Sequence, residues 1–391
     1  MIPRTSLLPT FNLHNKRVFV RADLNVPIKQ GIISNDYRLQ AVLPTLNYIQ
    51  KAGGKIILAT HIGRPHGVDP ALSTRILVPW FTQHGYSVHF QPDLDNAYSN
   101  SVKDPDTILL LENLRFFPGE QNADTSFAQK LASLGDYYVD DAFGALHRTD
   151  ASITLTPTFF SPDKRTIGFL VERELQMLDR LLKPEQPLSL ILGGGKVADK
   201  IPIINALLPR IHALLLCPAI SNTFVKALGN PMGKSLIDEA AIPLCKEIMD
   251  RAQELGVIVY VPVDYYAARD SFNGPLIPDP IDAHAFPDDA IAINIGPKTV
   301  ALYAREFMKD HTLFINGLMG DVNRPETLKG TELLYAAIGQ SPAFSIIGGG
   351  DSVAAAYQLG KASSFDYLST GGGATLAYIS GQELPGLSCI T

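Results

Sequence analysis

A chain of 391 residues, 46% hydrophobic and 18% charged, is long enough for two or three domains. That composition excludes a disordered chain and a small scaffold stapled by metal or disulfides. The net charge of −6 is too mild to hold nucleic acid or a membrane surface by bulk field, so any anion site has to be assembled locally. Cys217, Cys245 and Cys389 are widely spaced and form no CxxC pair, which fits a reducing compartment, with the cytoplasm expected. No HxxxH or HExxH pair suggests a zinc enzyme. The opening MIPRTSLLPTFNLHNKR has no apolar export core, and no run of about 18 apolar residues is available to span a membrane.

From Arg17 onward, short apolar runs alternate with amphipathic stretches: RVFVRADL, NDYRLQAVLPTLNYIQKAG, GKIILATH, STRILVPWFTQHG. Near-continuous hydrophobicity predicts strands over 18–20, 56–59, 88–90, 108–111 and 137–139. Such strands need helices on both faces, so a parallel sheet with crossover helices follows. GFLVERELQMLDRLLK places Phe169, Leu170, Leu175, Leu178, Leu181 and Leu182 on one stripe that also takes in Glu174, predicting a connecting helix within 166–184. After Pro187 the rhythm restarts with LSLILGGGK, HALLLC, GVIVYVPVD, AIAINIG, TLFING and AFSIIGGG, predicting a second parallel-sheet domain. The closing ELPGLSCIT is too short for a further element.

One module recurs in the second half: an apolar strand, three glycines and a helix start, at 193–195, 348–350 and 371–373. Glycine lets the backbone approach an anion, and the free N–H groups of the helix then face it with the dipole behind them. A packing explanation would have to hold three times independently. In GGGKVADK, Lys196 lies in the turn and Lys200 one helical turn later on the same face, two cations suited to a polyphosphate. The GxxxxGK[ST] spacing is missing. The GxGxxA match of Gly193, Gly195 and Ala198 lacks its acid, since 205–225 contain neither Asp nor Glu, which argues against a dinucleotide site. In IIGGGDS, Asp351 either caps a helix or meets a hard cation such as Mg²⁺ beside phosphate, and the two roles are compatible. LSTGGGAT offers backbone donors to a group in transfer.

In the first half, Arg21, His61, Arg64, Arg115 and Arg148 follow strand ends, where open α/β sheets bind ligands. Each taken singly is readily a surface ion pair. Four strand ends with the same chemistry point instead to a small substrate carrying carboxylate and phosphate groups, which arginine orients by paired hydrogen bonds. Arg38 lies near a helix start, and its spacing leaves open a salt bridge to Asp36 or a neighbour.

RADLNVP at 21–27, THIGRP at 60–65, LLENLRF at 110–116 and DAFGALHR at 141–148, followed by GGGKVADKI, NIGPKT, NGLMG, IIGGGDS and STGGGAT, resemble the phosphoglycerate kinase family in composition and order. The resemblance covers nearly the whole chain. It implies an α/β protein of two Rossmann-like parallel-sheet domains joined by a hinge helix, with the active site in a cleft that closes between them. The domains would span 1–165 and 185–380, with the hinge at 166–184 and a tail at 381–391 returning to the N-terminal domain. By motif, Arg21, Asp23, Asn25, Arg38, His61, Ile62, Gly63, Arg64, Arg115 and Arg148 would hold 3-phosphoglycerate or 1,3-bisphosphoglycerate. Gly194, Gly195, Lys196, Lys200, Asn316, Gly349, Gly350, Asp351 and Ser352 would hold ATP or ADP, with Asp351 on Mg²⁺. Arg38, Lys196, Gly371, Gly372 and Gly373 would stabilise the group in flight. The acceptor carboxylate is ionised at neutral pH, since its ordinary pKa is about 4, so no general base is needed. A cytoplasmic monomer is expected, the alternative being a catalytically silent homologue that binds sugar phosphate or nucleotide.

Three departures from the family pattern stand out. Cys217, Pro218, Ala219, Ile220 and Ser221 replace its GGGMA, Asn323 replaces an acid expected at the ribose, and Asp150 replaces a histidine. Discrimination among nucleotides is expected to be weak unless Asp321 or Glu326 supplies the missing acceptor.

Overall fold

Runs such as VFV and IILA can bury both faces only inside a parallel sheet, and that is where they lie. The computed structural model describes residues 7–97, 106–182, 187–195, 197–309 and 312–390. The chain divides into two units, Met1–Gln176 with Gln382–Thr391, and Met177–Gly381.

The first unit is built on six parallel strands in the order Ser87–Gln91, Thr107–Leu111, Lys55–Ala59, Arg17–Ala22, Tyr137–Asp141, Arg165–Ile167. The central strand pairs Val18 with Ile56 on one side and Tyr137 on the other. Val18, Val20, Ile56, Leu58, Ile108 and Leu110 form a core with Leu39, Val42, Leu46 and Ile49 of the helix Tyr37–Lys51. All the strands run the same way, so the residues after their carboxyl ends collect along one edge. ELPGLSCIT does contain an element, the single helical turn Pro385–Ser388. Gly386 N donates to Leu146 O at 3.0 Å, and a Cβ on Gly386 would stand 2.5 Å from Ile153 Cγ2, so only glycine fits there.

The predicted connecting helix is Phe169–Leu182. Leu170, Leu175, Leu178 and Leu181 are buried as the stripe requires, and Glu174 is buried with them. Phe169 N donates to Thr45 Oγ1, and Leu170 N and Val171 N to Asp141 Oδ1.

The second unit also has six parallel strands, in the order Ile258–Tyr260, Ala213–Ala219, Leu188–Gly194, Thr312–Asn316, Phe344–Gly348, Tyr367–Leu368. AIAINIG does not join this sheet. Ala290–Ile295 pairs antiparallel with Asp264–Arg269, which pairs antiparallel with Ile281–Asp282. An apolar run covered on both faces reads the same in either direction, and hydrophobicity alone does not reveal its partner. Here Ala267, Ala290 and Ala292 pack with Val225, Met232, Tyr265, Ala283 and Phe286 as a core of their own. The helix expected directly after Gly195 is also displaced. A 3₁₀ turn, Ala198–Lys200, comes first and the α-helix starts at Ile201, so Lys200 stands at its N-cap rather than one turn inside. Among the described residues, no helix is long and apolar enough to cross a membrane.

Candidate active site

In the second unit the strands ending at Gly194 and Asn316 come so close that side chains are excluded. A Cβ on Gly317, whose φ is +96°, would stand 2.0 Å from Gly193 O. Gly349, at φ +101°, turns the chain from the strand Phe344–Gly348 into the helix Gly350–Gln358. The resulting cavity, about 570 Å³, is lined by Gly194, Gly195, Lys200, Asn316, Gly349, Gly350, Asp351, Ser352 and Gly372 among others. It thus receives the starts of two helices, Gly350–Gln358 and Gly372–Ile379, whose first N–H groups have no partner within the helix.

Lys200 Nζ donates to Asn316 Oδ1, and Asn316 Nδ2 donates to Gly348 O at 3.0 Å. Burial pulls the lysine pKa below its ordinary value, while Asp199 acts the other way. Ser352 Oγ is buried without a hydrogen-bond partner, an unmet donor at the wall of the cavity. Lys196 lies outside the described residues. Of the third glycine turn only Gly372 lines the cavity. Gly371 donates its N–H to Ser369 Oγ at 3.3 Å and accepts from Thr375 N at 3.2 Å, while Gly373 is exposed.

Beside this cavity is an apolar slot of about 430 Å³. Pro218, Ala219, Leu236, Phe272, Ile291 and Ile293 line it, with Lys234, and it shares Gly194, Gly195, Leu318 and Gly320 with the polar cavity. Leu236 is 60% and Phe272 39% exposed, so together they present apolar surface to the slot. The sequence reading missed this slot apart from the altered stretch at Cys217 to Ser221; an aromatic at the tip of a polar turn, DSFNG, was the available signal. Asp321 also lines the polar cavity, and its Oδ1 accepts from Asn323 N at 2.8 Å and Nδ2 at 3.2 Å. Glu326 is paired with Arg324 Nε at 2.7 Å.

In the first unit, His61 is the meeting point. It is buried, and its pKa is held well below the ordinary histidine range, first by burial and then by the charges of Arg21, Arg148 and Arg38. Arg21 touches it, and the charges of Arg148 and Arg38 act on it from further off. Arg21 itself is fully enclosed: Nε donates to Ser152 Oγ at 2.7 Å, Nη1 to Ala22 O at 2.5 Å and Nη2 to His61 Nδ1 at 3.1 Å. Arg38 Nη1 donates to both oxygens of Asp23, at 2.8 and 2.7 Å. Asp36, the other partner the spacing allowed, instead accepts from Gln40 Nε2 and Trp80 Nε1.

The loop after Ala59 is held from two sides. Asn25 Oδ1 accepts from Gly63 N at 2.8 Å, and Asn113 Nδ2 donates to Ile62 O and Leu72 O at 2.8 Å each. Glu112 accepts from Ser73 Oγ and Thr74 N. LLENLRF is thus largely scaffold, and its Arg115 donates through Nη1 to Gly63 O at 2.5 Å with Nη2 3.8 Å from Asp150. Ile62 is buried and Arg64 exposed on this loop. Arg115 Nε, Arg148 Nε and His147 Nδ1 are buried without hydrogen-bond partners. Unmet donors of this kind cost about 1–3 kcal/mol each, a cost an incoming anion removes. His147 was not among the predicted residues, although it adjoins Arg148.

Over residues 8–382 the chain matches the family model described as phosphoglycerate kinase. It is 40% identical over 390 residues to phosphoglycerate kinase of Thermus thermophilus, covering 96% of this chain and 97% of the relative. With that of Moorella thermoacetica it shares 38% over 392 residues, 98% of each. The solved phosphoglycerate kinase of Pyrococcus horikoshii aligns with a TM-score of 0.85 at 31% identity over 98% of both chains. That of Coxiella burnetii gives 0.83 at 31%, over 98% of this chain and 97% of the other. With matches of this extent to one family, and its motifs in that family's order, the chain belongs to the phosphoglycerate kinases.

Proposed function

We propose that the two sites hold the two substrates of a reversible phosphoryl transfer: 1,3-bisphosphoglycerate and ADP in one direction, 3-phosphoglycerate and ATP in the other. The observation that carries this reading is the difference in donor chemistry between them. The first unit offers guanidinium groups with buried N–H groups unmet, Arg115 Nε and Arg148 Nε, which suits a compact acid bearing carboxylate and phosphate. The second offers helix N-termini and Lys200 beside an apolar slot, which suits a polyphosphate carrying a planar base.

Arg38 and Arg148 act on the acid directly, with Arg64 reaching it from the exposed loop. Arg21 stands behind them: with no exposed surface, it fixes the orientation and neutral state of His61. Asn25, Asn113 and Arg115 set the shape of the loop at Ile62 and Gly63. Lys200, the N–H groups at Gly350 to Ser352 and that of Gly372 orient the phosphates. The acceptor is a carboxylate, already ionised, so these groups position and neutralise charge rather than move a proton.

Among the described residues no three His, Cys, Asp or Glu gather as a cation cage, which suits a Mg²⁺ that takes most of its ligands from phosphate and water. Asp351, exposed at the rim of the cavity, is the residue that would hold it, and the ion would supply neutralisation of phosphate charge. A silent homologue is not favoured, because the cations of both sites are retained. A coupled assay with 3-phosphoglycerate, MgATP and a downstream reductant tests the reading. Turnover that disappears when either substrate is omitted is expected; tight binding of both with no turnover would overturn it.

A further inference from the structure

We infer that Arg324 is a positioning residue for the nucleotide base, acting through Phe272. The inference rests on the slot being the base site. The turn between Arg269 and Pro275 is closed at its ends by Arg269 N donating to Pro275 O at 3.0 Å, and Asp270 N ties it to Asp289 O at 2.8 Å. The tip is closed by Gly274 N donating to Ser271 O at 2.9 Å and is also gripped from outside the turn. Arg324, from the loop after the strand Thr312–Asn316, donates through Nη1 to Phe272 O and through Nη2 to Gly274 O at 2.7 Å, while its Nε takes Glu326.

One rigid fork thus holds two carbonyls two residues apart, which fixes the intervening peptides and the direction in which the Phe272 side chain leaves the backbone. That side chain lines the slot together with Leu236, and both are exposed. Two apolar groups lining a narrow slot suit a flat aromatic ring. Among the described lining residues the one charged group is Lys234, whose Nζ is already paired with Asp270 Oδ1 at 2.6 Å. Base affinity therefore rests on apolar contact, and apolar contact depends on how firmly the ring is held.

The Arg324 loop also has a second face. Arg324 N donates to Asp321 O at 2.9 Å, and Asp321 and Asn323 line the phosphate cavity. One side chain therefore links the wall of the base slot to the loop beside the phosphates.

The test uses the full-length protein and two ligands that separate the parts of a nucleotide: adenosine, which has no phosphates, and inorganic tripolyphosphate, which has no base. Binding is measured for the parent, Arg324→Ala, Arg324→Lys, Phe272→Ala and the double alanine variant. Arg324→Ala should weaken adenosine about five- to tenfold, less than its charged hydrogen bonds are worth because they reach the base only through the ring, and leave tripolyphosphate unchanged. Phe272→Ala should do the same, and the double variant no more than either alone, because both act through one ring. Arg324→Lys, able to reach one carbonyl but not grip two, should fall between. In the coupled assay the KM for MgATP rises while kcat stays within about twofold. Unchanged adenosine affinity in Arg324→Ala, an equal loss for tripolyphosphate, or additive single effects would overturn the proposal. A parent that binds tripolyphosphate but not adenosine would overturn the reading of the slot itself, and the proposal with it.

Discussion

Arg38 grips a carboxylate that is only 4% exposed, and this pairing shapes what its removal does. Arg38→Ala takes a cation away from the proposed acid-binding site and leaves Asp23 buried with one hydrogen bond, from Asn25 N at 3.3 Å, among its remaining partners. Stability should drop by about 1–3 kcal/mol, and kcat should fall much more than the KM for 3-phosphoglycerate rises, because the charge counts most while the phosphoryl group is in flight. Adding Asp23→Asn should restore stability, by removing the uncompensated charge, without restoring kcat. Small and equal changes in kcat and KM would reduce Arg38 to an ion pair. Residue types at strand ends were legible in the sequence because an arginine there has a chemistry whatever its neighbours. Their directions were not: Arg21 turns inward to Ser152 and His61, and Arg38 chose Asp23 over Asp36, both decided by contacts between distant segments.

At the scale of elements, strands that must be covered on both faces announced themselves, and so did the stripe of the connecting helix. Its N-terminal anchorage did not. Asp141 Oδ1 accepts from Leu170 N and Val171 N, its Oδ2 is buried without a partner, and a Cβ on Gly168 would stand 2.1 Å from Oδ1. Burial pushes this carboxyl up to about 7, against the pull of Thr45 and the helix N–H groups and with help from Asp140, itself pushed up by burial to about 6. A carboxyl whose folded pKa exceeds its unfolded one binds more protons in the native state, so its stabilisation is complete below about 4 and is lost as pH rises through about 7. Denaturant unfolding should therefore show stability falling between about pH 4 and 7, by up to about 1.4 kcal/mol per pH unit for each proton involved. Asp141→Asn, which keeps the accepting oxygen but does not titrate, should flatten that slope. An identical slope in parent and variant would remove Asp141 from the anchorage.

The order of motifs along the whole molecule was enough to suggest the family, and the restart of the strand rhythm after Pro187 to suggest a second domain, whereas the place of the closing segment was not written in any periodicity. The segment Gln382–Thr391 belongs with the first unit through contacts such as Gly386 N to Leu146 O, made by residues far apart in sequence. On the proposed reading each unit carries its own anion site, and a ligand that binds only the native form of one unit stabilises that unit by mass action, about 2.7 kcal/mol at a hundred times its Kd. Amide exchange then reports which unit took which ligand. With 3-phosphoglycerate alone, the amides of Gly63, Arg64 and Arg148 should slow, by up to about 100-fold where exchange follows opening of that unit. With tripolyphosphate alone, those of Gly194, Gly195, Asp351, Ser352 and Gly372 should slow instead, since these surround the glycine-lined cavity. Equal slowing of both sets by either ligand alone would overturn the assignment of one substrate to each unit.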